Sequence, residues 1–302
     1  MPVSRNDLAD FVYFLAIARH HNFRRAGIEL GVTASAISHA LKALEQRLGV
    51  RLVNRTNRSV TLTAAGEQLR EAIDGPFEAI GQAVDDLNRF REAPSGRIRL
   101  NVVTDAATQL LAPVMGELAA RYPDLEVDIV ADNRMVDITG EGFDAGIRHG
   151  GTVPEDMIAQ RLSADLRWIV AGSPGYLNRH GTPMHPDDLK EHRCLGVRLG
   201  DDRVYRWEFN GPDGEFEVPV RSYITADDSR AMMAMAIAGA GLTYGNEPAM
   251  ARDIEAGLLQ PVLGEWANAG PGYHIYYSSR RQLPTGLRTL IELIREMRPL
   301  GL

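Results

Sequence analysis

The apolar positions of the first fifty residues recur at helical spacing. Leu8, Phe11, Val12 and Leu15 share one face of a first helix. Asn22 stands where an N-cap precedes a second helix, Phe23–Leu30, and Gly31 is placed to end it. A third helix starts from Thr33 as N-cap, runs to Leu48 and stops at Gly49. Its stripe is Ile37, Leu41, Leu44 and Leu48, at spacings of four, three and four. Two short helices joined through Gly31-Val32 predict a helix-turn-helix. Leu52-Val53 and Val60-Thr61-Leu62 are extended stretches around Asn57-Arg58-Ser59, which is the pattern of a β-wing.

Beyond the wing, Thr63 is placed to cap a long helix reaching about Phe90. Its apolar positions Leu69, Ile73, Phe77, Ile80, Val84 and Leu87 lie near a 3.5-residue period, the mark of a helix packed along another helix. Gly75-Pro76 is expected to kink or loosen it. A core helix of one fused domain is the alternative. Ala93-Pro94-Ser95-Gly96 reads as a hinge. Strand and helix patterns then alternate. Strands are expected over Arg97–Val103, Leu125–Val130, Phe143–Ile147, Trp168–Ala171, Leu242–Tyr244 and Tyr273–Tyr277. Helices are expected over Gln109–Tyr122, Pro174–His180, Ala231–Ala238 and Pro284–Met297. Trp207–Phe209 and Phe216–Val220 flank Pro212-Asp213-Gly214, a hairpin turn. The pattern is α/β and predicts parallel sheets.

Composition narrows the function classes. The chain has 302 residues, enough for two or three domains at roughly 100–200 each. A hydrophobic content of 44% excludes disorder as a description of the whole. One cysteine, Cys194, excludes a disulfide framework. The longest apolar run, Ala231–Leu242, has 12 residues and is too short for a bilayer. Met1–Asp10 lacks the apolar core of a signal peptide, so a cytoplasmic protein is expected. Charge is uneven. Residues 1–66 hold nine Arg/Lys against four Asp/Glu, a balance of +5, whereas the whole chain carries −7. A basic head on an acidic body suits a polyanionic partner at one end only.

The stretch NFRRAGIELGVTASAISHALKALEQRLGVRLVNRTNRSVTLTAAGEQL resembles the DNA-binding domain of LysR-type transcriptional regulators. Small residues around Ser35 and Ser38, Leu-Glu before Leu-Gly, Arg-Thr-x-Arg and Leu-Thr-x-x-Gly follow in order. His39 stands where the family more often has Arg, and Val53 where it has Phe. The phrases FDAGIRHG, SPGYLNRHGTPMHPDDLKEHRCL, AGAGL and YYSSRRQLPTGLRTLIELI extend the resemblance over nearly the whole chain. It implies an α/β effector domain of two Rossmann-like, periplasmic-binding-protein-like lobes, preceded by an all-α winged helix-turn-helix domain and a long linker helix. The boundaries expected are 1–62 for the head, 63–92 for the linker and dimerisation helix, and 93–302 for the effector domain. Within the last, lobe 1 takes 96–164 and 269–302 and lobe 2 takes 165–268, with crossings near Ser163–Arg167 and Glu265–Gly270. The partners implied are double-stranded DNA, a small-molecule effector, further copies of the chain as dimer and tetramer, and RNA polymerase, but no membrane and no cofactor.

Candidate residues follow from element ends. The exposed face of the third helix carries Thr33, Ser35, Ser38, His39 and Lys42. Hydroxyls and an imidazole there can meet base edges or phosphates, while Ala34 and Ala36 allow close approach. Arg55 and Arg58 lie on the wing, within reach of phosphate or minor groove. The resemblance places Ser35, Ser38, His39 and Arg58 at DNA-touching positions. Arg55 could instead be a structural ion-pair partner. In the cleft expected between lobes, Thr104, Asp105 and Thr108 open the first helix, and Arg148 follows a strand end with its guanidinium expected in the cleft. Asp227, Asp228 and Ser229 open the facing helix. Two alternatives stay open: Thr104 as a simple N-cap, and Arg148 paired with Asp227.

No phosphate-loop, zinc-protease or nucleophile-elbow motif occurs. Gly239-Ala240-Gly241 follows a helix, the wrong context for a dinucleotide loop. His185, Asp187, His192 and Cys194 match no common zinc spacing, so no metal is expected. Two other classes, a solute-binding protein or a small-molecule enzyme, fit the α/β region but not the basic head.

Overall fold

A computed structural model describes residues 5–55, 59–86, 94–154, 156–200, 202–278 and 283–302. They fall into two compact units, one within Met1–Arg91 and the other built from Glu92–Ile138 and Phe143–Leu302.

The first unit is a winged helix-turn-helix. Its elements are α1 (Arg5–His20), α2 (Phe23–Leu30), α3 (Ala34–Leu48), β1 (Val53–Arg55), β2 (Val60–Leu62) and α4 (Ala64–Asp86). The caps are those expected. Asn22 accepts from the amides of Arg24 and Arg25, and Thr33 accepts from that of Ala36. Gly31 (φ 66°) and Gly49 (φ 71°) end their helices in the left-handed region. The α2–α3 turn is tight: a Cβ on Gly27 would sit 2.6 Å from the Val32 carbonyl oxygen. Phe14, Ile17, Ala26, Ile37, Leu41, Leu44 and Leu52 form the core. The wing is antiparallel, with Val53 opposite Leu62 and Arg55 opposite Val60. Glu45 fixes its root, because its Oε1 accepts from the amides of Leu52 and Val53. Thr63 caps α4 by accepting from the Gly66 amide at 3.0 Å, and donates to the Arg51 carbonyl at 2.7 Å. Arg58 lies outside the described residues.

The long helix departs from expectation in what it packs on. Leu69, Ile73 and Phe77 lie against the core of the head, with Phe77 edge-on to Phe11 at 6.4 Å. Ile80, further along, is 58% exposed. The first half of α4 therefore packs as a helix of the head's core. The helix continues through Gly75-Pro76. Its expected extension to Phe90 lies outside the described residues.

The second unit holds two sheets. In the first, β3 (Gly96–Val102) is an interior strand. The chain then makes α5 (Thr104–Ala106), a π-helical segment (Ala107–Leu111) and α6 (Ala112–Arg121), followed by β4 (Leu125–Ala131), β5 (Ala145–His149) and β6 (Met157–Arg161). The second lobe contributes β7 (Leu166–Gly172), α7 (Pro174–His180), β8 (Cys194–Val197), the β9–β10 hairpin (Trp207–Gly211, Gly214–Val218) and β11 (Ser222–Ala226). It continues with α8 (Ser229–Ile237), β12 (Leu242–Asn246), α9 (Glu247–Glu255), β13 (Gln260–Val262) and β14 (Asn268–Gly270). β15 (Tyr273–Ser278) and α10 (Thr285–Met297) return to the first. The orders are β4-β3-β5-β15-β6 and β11-β8-β12-β7-β13, with β14 beside β7.

Neither sheet is wholly parallel, contrary to the sequence expectation. β3 pairs in parallel with β4 and β5, but β15 runs antiparallel to both β5 and β6. β12 and β13 are likewise antiparallel to β7. A strand delivered from the other lobe enters from the opposite end, so a double crossing forces mixed sheets. The first crossing spans 162–165. The second is Pro271-Gly272, a little later than the Glu265–Gly270 expected, because β14 still pairs with β7.

Two glycines of α4 test this packing with opposite signs. A Cβ on Gly66 would lie 2.1 Å from the Leu52 carbonyl oxygen, whereas Gly75 has nothing within 4 Å. Gly66→Ala should destabilise the head by about 1–3 kcal/mol, and Gly75→Ala should stabilise it by about 0.5–1 kcal/mol. Thermal unfolding of the two variants checks both.

Candidate functional site

The outward face of α3 carries Thr33, Ser35, His39 and Lys42 exposed and Ser38 half-buried. Thr33 is partly spent, since its Oγ1 caps the helix and lies 3.0 Å from the Ser35 hydroxyl. Arg55 turns inward. Its Nη1 donates to Ser38 Oγ at 2.7 Å, and its guanidinium lies over the Phe23 ring at 4.0 Å. These contacts are with a hydroxyl and a ring rather than with a carboxylate. The contact ties the wing to α3 and α2, and leaves the Ser38 hydroxyl proton free to donate. His39 also borders a groove of about 540 Å³ between α1 and α3, lined by Asp10, Tyr13, Ala36, Ala40 and Arg47. Arg47 closes one end, donating to Asp7 at 2.9 Å and Asp10 at 2.5 Å. Sequence reading missed this clamp. The three-residue spacing of two acids on an otherwise apolar helix was its signal.

In the second unit, one pair of the residues expected around the cleft meets directly across it. Asp105 Oδ1 accepts from the Ser229 hydroxyl at 2.7 Å. Asn133 makes a second bridge. Its Nδ2 donates to the Asp227 carbonyl at 2.6 Å, and its Oδ1 accepts from the Thr104 amide at 3.1 Å. Thr104 is thus the first helical residue rather than the cap; Val103 takes the cap position without a side-chain bond. Asp228 caps α8 by accepting from the Arg230 amide, and the Thr108 hydroxyl donates to the Asp105 carbonyl at 3.0 Å. Asn133 was not foreseen, because a single Asn in a polar loop carries no periodic signal.

Arg148 is the largest departure. It is 2% exposed and does not open to the cleft. Nη1 donates to the carbonyls of Asn101 (3.2 Å) and Ile147 (2.9 Å); Nη2 donates to Asn101 Oδ1 and to the Arg134 carbonyl (2.8 Å). Burial lowers its pKa, while Tyr276 and Asp132 oppose the change; Asp227 is not among the groups it feels. Neither sequence alternative describes this geometry. Arg148 instead holds the 132–134 loop from beneath, and that loop presents Asn133 to the facing lobe.

The cleft floor is aromatic. His149 packs on Tyr273 at 4.6 Å and Trp168 at 5.4 Å, and Trp168 stacks on Tyr205 and Tyr244. The sulfur and imidazoles considered for zinc are dispersed in separate contacts. Cys194 is buried, its thiol pushed up to about 12, and the Tyr176 hydroxyl lies 3.2 Å from His192 Nδ1. Among the described residues, no group of three or more His, Cys, Asp or Glu is placed to hold a metal ion. None of their helices is long and apolar enough to cross a membrane.

A helix-turn-helix head joined to a two-lobed α/β domain with a bridged cleft defines a class of ligand-responsive DNA-binding regulators. Comparison with known proteins agrees. Residues 91–299 match the LysR substrate binding domain, and residues 8–67 match the bacterial regulatory helix-turn-helix protein of the lysR family. The chain is 38% identical over 291 residues to YcaN, an uncharacterized HTH-type transcriptional regulator of Escherichia coli K12, covering 96% of this chain and 95% of that one. It is 31% identical to the E. coli K12 HTH-type transcriptional regulator PgrR, covering 97% and 98%. Among solved structures, a full-length variant of AphB aligns with a TM-score of 0.74 at 22% identity, covering 95% and 97%. CrgA of Neisseria meningitidis, a LysR-type regulator, aligns with a TM-score of 0.62 at 26% identity, covering 98% and 99%. The chain belongs to the LysR family of transcriptional regulators. It is a DNA-binding regulator with an effector-binding domain, and not an enzyme.

The floor carries a pH signature. Burial drives the His149 imidazole down to about 4, helped by Arg148 and opposed by a bond to Pro271. The folded form therefore binds fewer protons than the unfolded chain between about pH 4 and the ordinary histidine value of about 6.5. Stability from this group is full above that window and falls with pH through it, by up to about 3 kcal/mol. Urea unfolding across the window should show this slope, and His149→Phe should flatten it.

Proposed function

We propose that this regulator reads an interrupted, dyad-symmetric operator through paired heads. A small polar metabolite bound between the two lobes adjusts that reading. The supporting observation is the pairing of two features in one chain. Polar side chains stand exposed along α3 behind a tightly capped turn, and two separate bridges cross the cleft, Asp105–Ser229 and Asn133–Asp227. Base readout falls to Ser35, Ser38 and His39, with Thr33 at the helix start. Lys42 and the wing residue Arg58 hold phosphate, and Arg55 acts through Ser38. The heads span 1–62, the linker 63–92 and the effector domain 93–302. Pairing uses the distal linker, where Ile80 is exposed, and gives a dimer that associates further to a tetramer. The protein works in the cytoplasm, where RNA polymerase is a further partner.

Effector binding changes operator affinity only if it favours one lobe arrangement over another. Thr104, Asp105 and Thr108 on one side, with Asp227 and Asp228 on the other, are the groups a ligand would meet, and the Asp105–Ser229 and Asn133–Asp227 bridges are those it would replace. Arg148 acts at one remove, by fixing the loop that carries Asn133. Arg148→Ala should therefore alter basal operator affinity even without ligand.

Footprinting of the purified protein on its upstream intergenic region, with and without a metabolite library, tests the reading. A protected dyad whose pattern shifts with one compound supports it; no preference over random DNA contradicts it. Affinity should fall steeply with salt, with a log–log slope on the order of −5 to −10. His39→Ala should cut the specific-to-random ratio by about 1–3 kcal/mol. Arg58→Ala should weaken binding to every sequence and flatten the slope by about one unit.

A further inference from the structure

The polarity of one hydroxyl on the outward face of α3 is set from inside the head. Ser38 is half-buried on that face, with Ser35 and Lys42 exposed one turn to either side. A hydroxyl on a helix can give its proton to the carbonyl four residues back, as Thr289 does to Thr285 at 3.0 Å. Ser38 does not. Among the described residues its hydroxyl has one hydrogen-bond partner, Arg55, whose Nη1 donates to Oγ at 2.7 Å. Thr33 and Ser35 differ, since their hydroxyls lie 3.0 Å apart and either can be the donor.

The direction of the Arg55–Ser38 bond is fixed by chemistry, because a guanidinium has donors and no acceptor. Its position is fixed by packing. The guanidinium lies over the Phe23 ring at 4.0 Å, and β1 is held in register by the pairing of Arg55 with Val60. The Glu45 carboxylate secures the root of the same strand through the amides of Leu52 and Val53. A charged donor behind a hydroxyl draws electron density from its oxygen. The O–H then becomes a better donor and the remaining lone pair a poorer acceptor. Ser38 therefore ends a chain of donation that runs outward from the wing to the solvent face of α3.

Resting on the operator reading above, in which α3 lies in the major groove, we propose that Arg55 is a positioning residue that fixes Ser38 as a donor, and that the base Ser38 meets in each half-site is a guanine. The base edges differ in polarity. Guanine offers two adjacent acceptors, N7 and O6. Adenine offers one acceptor beside an amino group, and thymine one beside a methyl. Cytosine offers only an amino donor, so the Ser38 proton would face another proton. The positive charge one bond behind the hydroxyl adds to the preference for the acceptor-only edge. Without Arg55 the hydroxyl turns freely and accepts as readily as it donates, and the choice between guanine and cytosine relaxes.

The test is selection of bound duplexes from a randomised library by the full-length protein and three variants, Ser38→Ala, Arg55→Met and Arg55→Lys. Wild type should enrich a half-site with guanine at one position whose preference Ser38→Ala abolishes while sparing the rest; that position is the base Ser38 meets. Arg55→Met keeps an apolar chain over Phe23 and removes the donor. It should lower the guanine-to-cytosine ratio at that position by roughly fivefold or more, and change the other positions by less than about twofold. Arg55→Lys still donates and should keep the ratio. A purely structural Arg55 would move all positions together and would not be rescued at one of them. Three results would overturn the proposal: a Ser38-dependent position that favours any base other than guanine, no position that depends on Ser38, or an Arg55→Met loss spread over every sequence. If that last loss came with a salt slope flatter by about one unit, Arg55 would be a phosphate contact instead. Each of these leaves an enriched dyad, and so the operator reading, standing. A wild-type protein that enriches no sequence would remove the operator reading and the proposal together.

Discussion

The two lobes are joined by two crossings of the chain that lie against each other, and much of the second unit follows from that pairing. The Leu162 amide donates to the Tyr273 carbonyl at 2.8 Å, and the Tyr273 amide donates to Ser163 Oγ at the same distance. Gly272 fits between them only because it has no side chain; a Cβ there would lie 2.0 Å from the Ala164 carbonyl oxygen. The double crossing also delivers β15 and β7 into their sheets reversed, and it brings Tyr273, His149 and Trp168 together as the cleft floor.

Above that floor the lobes are held by few polar contacts, and these are of a kind a ligand can exchange. Asp105 meets Ser229 directly. Asn133 reaches Asp227 from a loop whose Arg134 carbonyl Arg148 holds and whose Arg134 amide Asp132 holds. Gly200, from the second lobe, packs on this loop so closely that a Cβ would sit 2.7 Å from the Arg134 Cα. The 132–134 loop is thus gripped from below by a buried cation and from across by a backbone. A residue so placed influences the lobes without touching a ligand.

Local features were legible in the sequence because local chemistry determines them. Asn22, Gly31, Thr33, Gly49 and Thr63 do what their types and positions dictate, and Ile37, Leu41 and Leu44 of the α3 stripe are buried as its spacing requires, while Leu48 at the helix end is exposed. The resemblance supplied the lobes and their double crossing. What failed was direction. Arg148 was placed correctly at a strand end, but the choice between cleft and interior depended on three carbonyls and an Asn side chain brought there by distant residues. Arg55 was placed on the wing, yet its aim was decided by Phe23 and Ser38, more than fifteen residues away in sequence. The strand polarity of the sheets was misread for the same reason, since alternating helices and strands do not reveal where a chain changes lobes.

The central claim is that the capped head reads one defined DNA sequence on behalf of the domain behind it. Genome-wide mapping of the chromosomal sites occupied by the full-length protein tests this most directly. The account predicts a limited set of peaks that share one interrupted dyad, and their loss when the exposed face of α3 is replaced by alanine. Occupancy spread without a shared sequence, or peaks unchanged by that replacement, would contradict it.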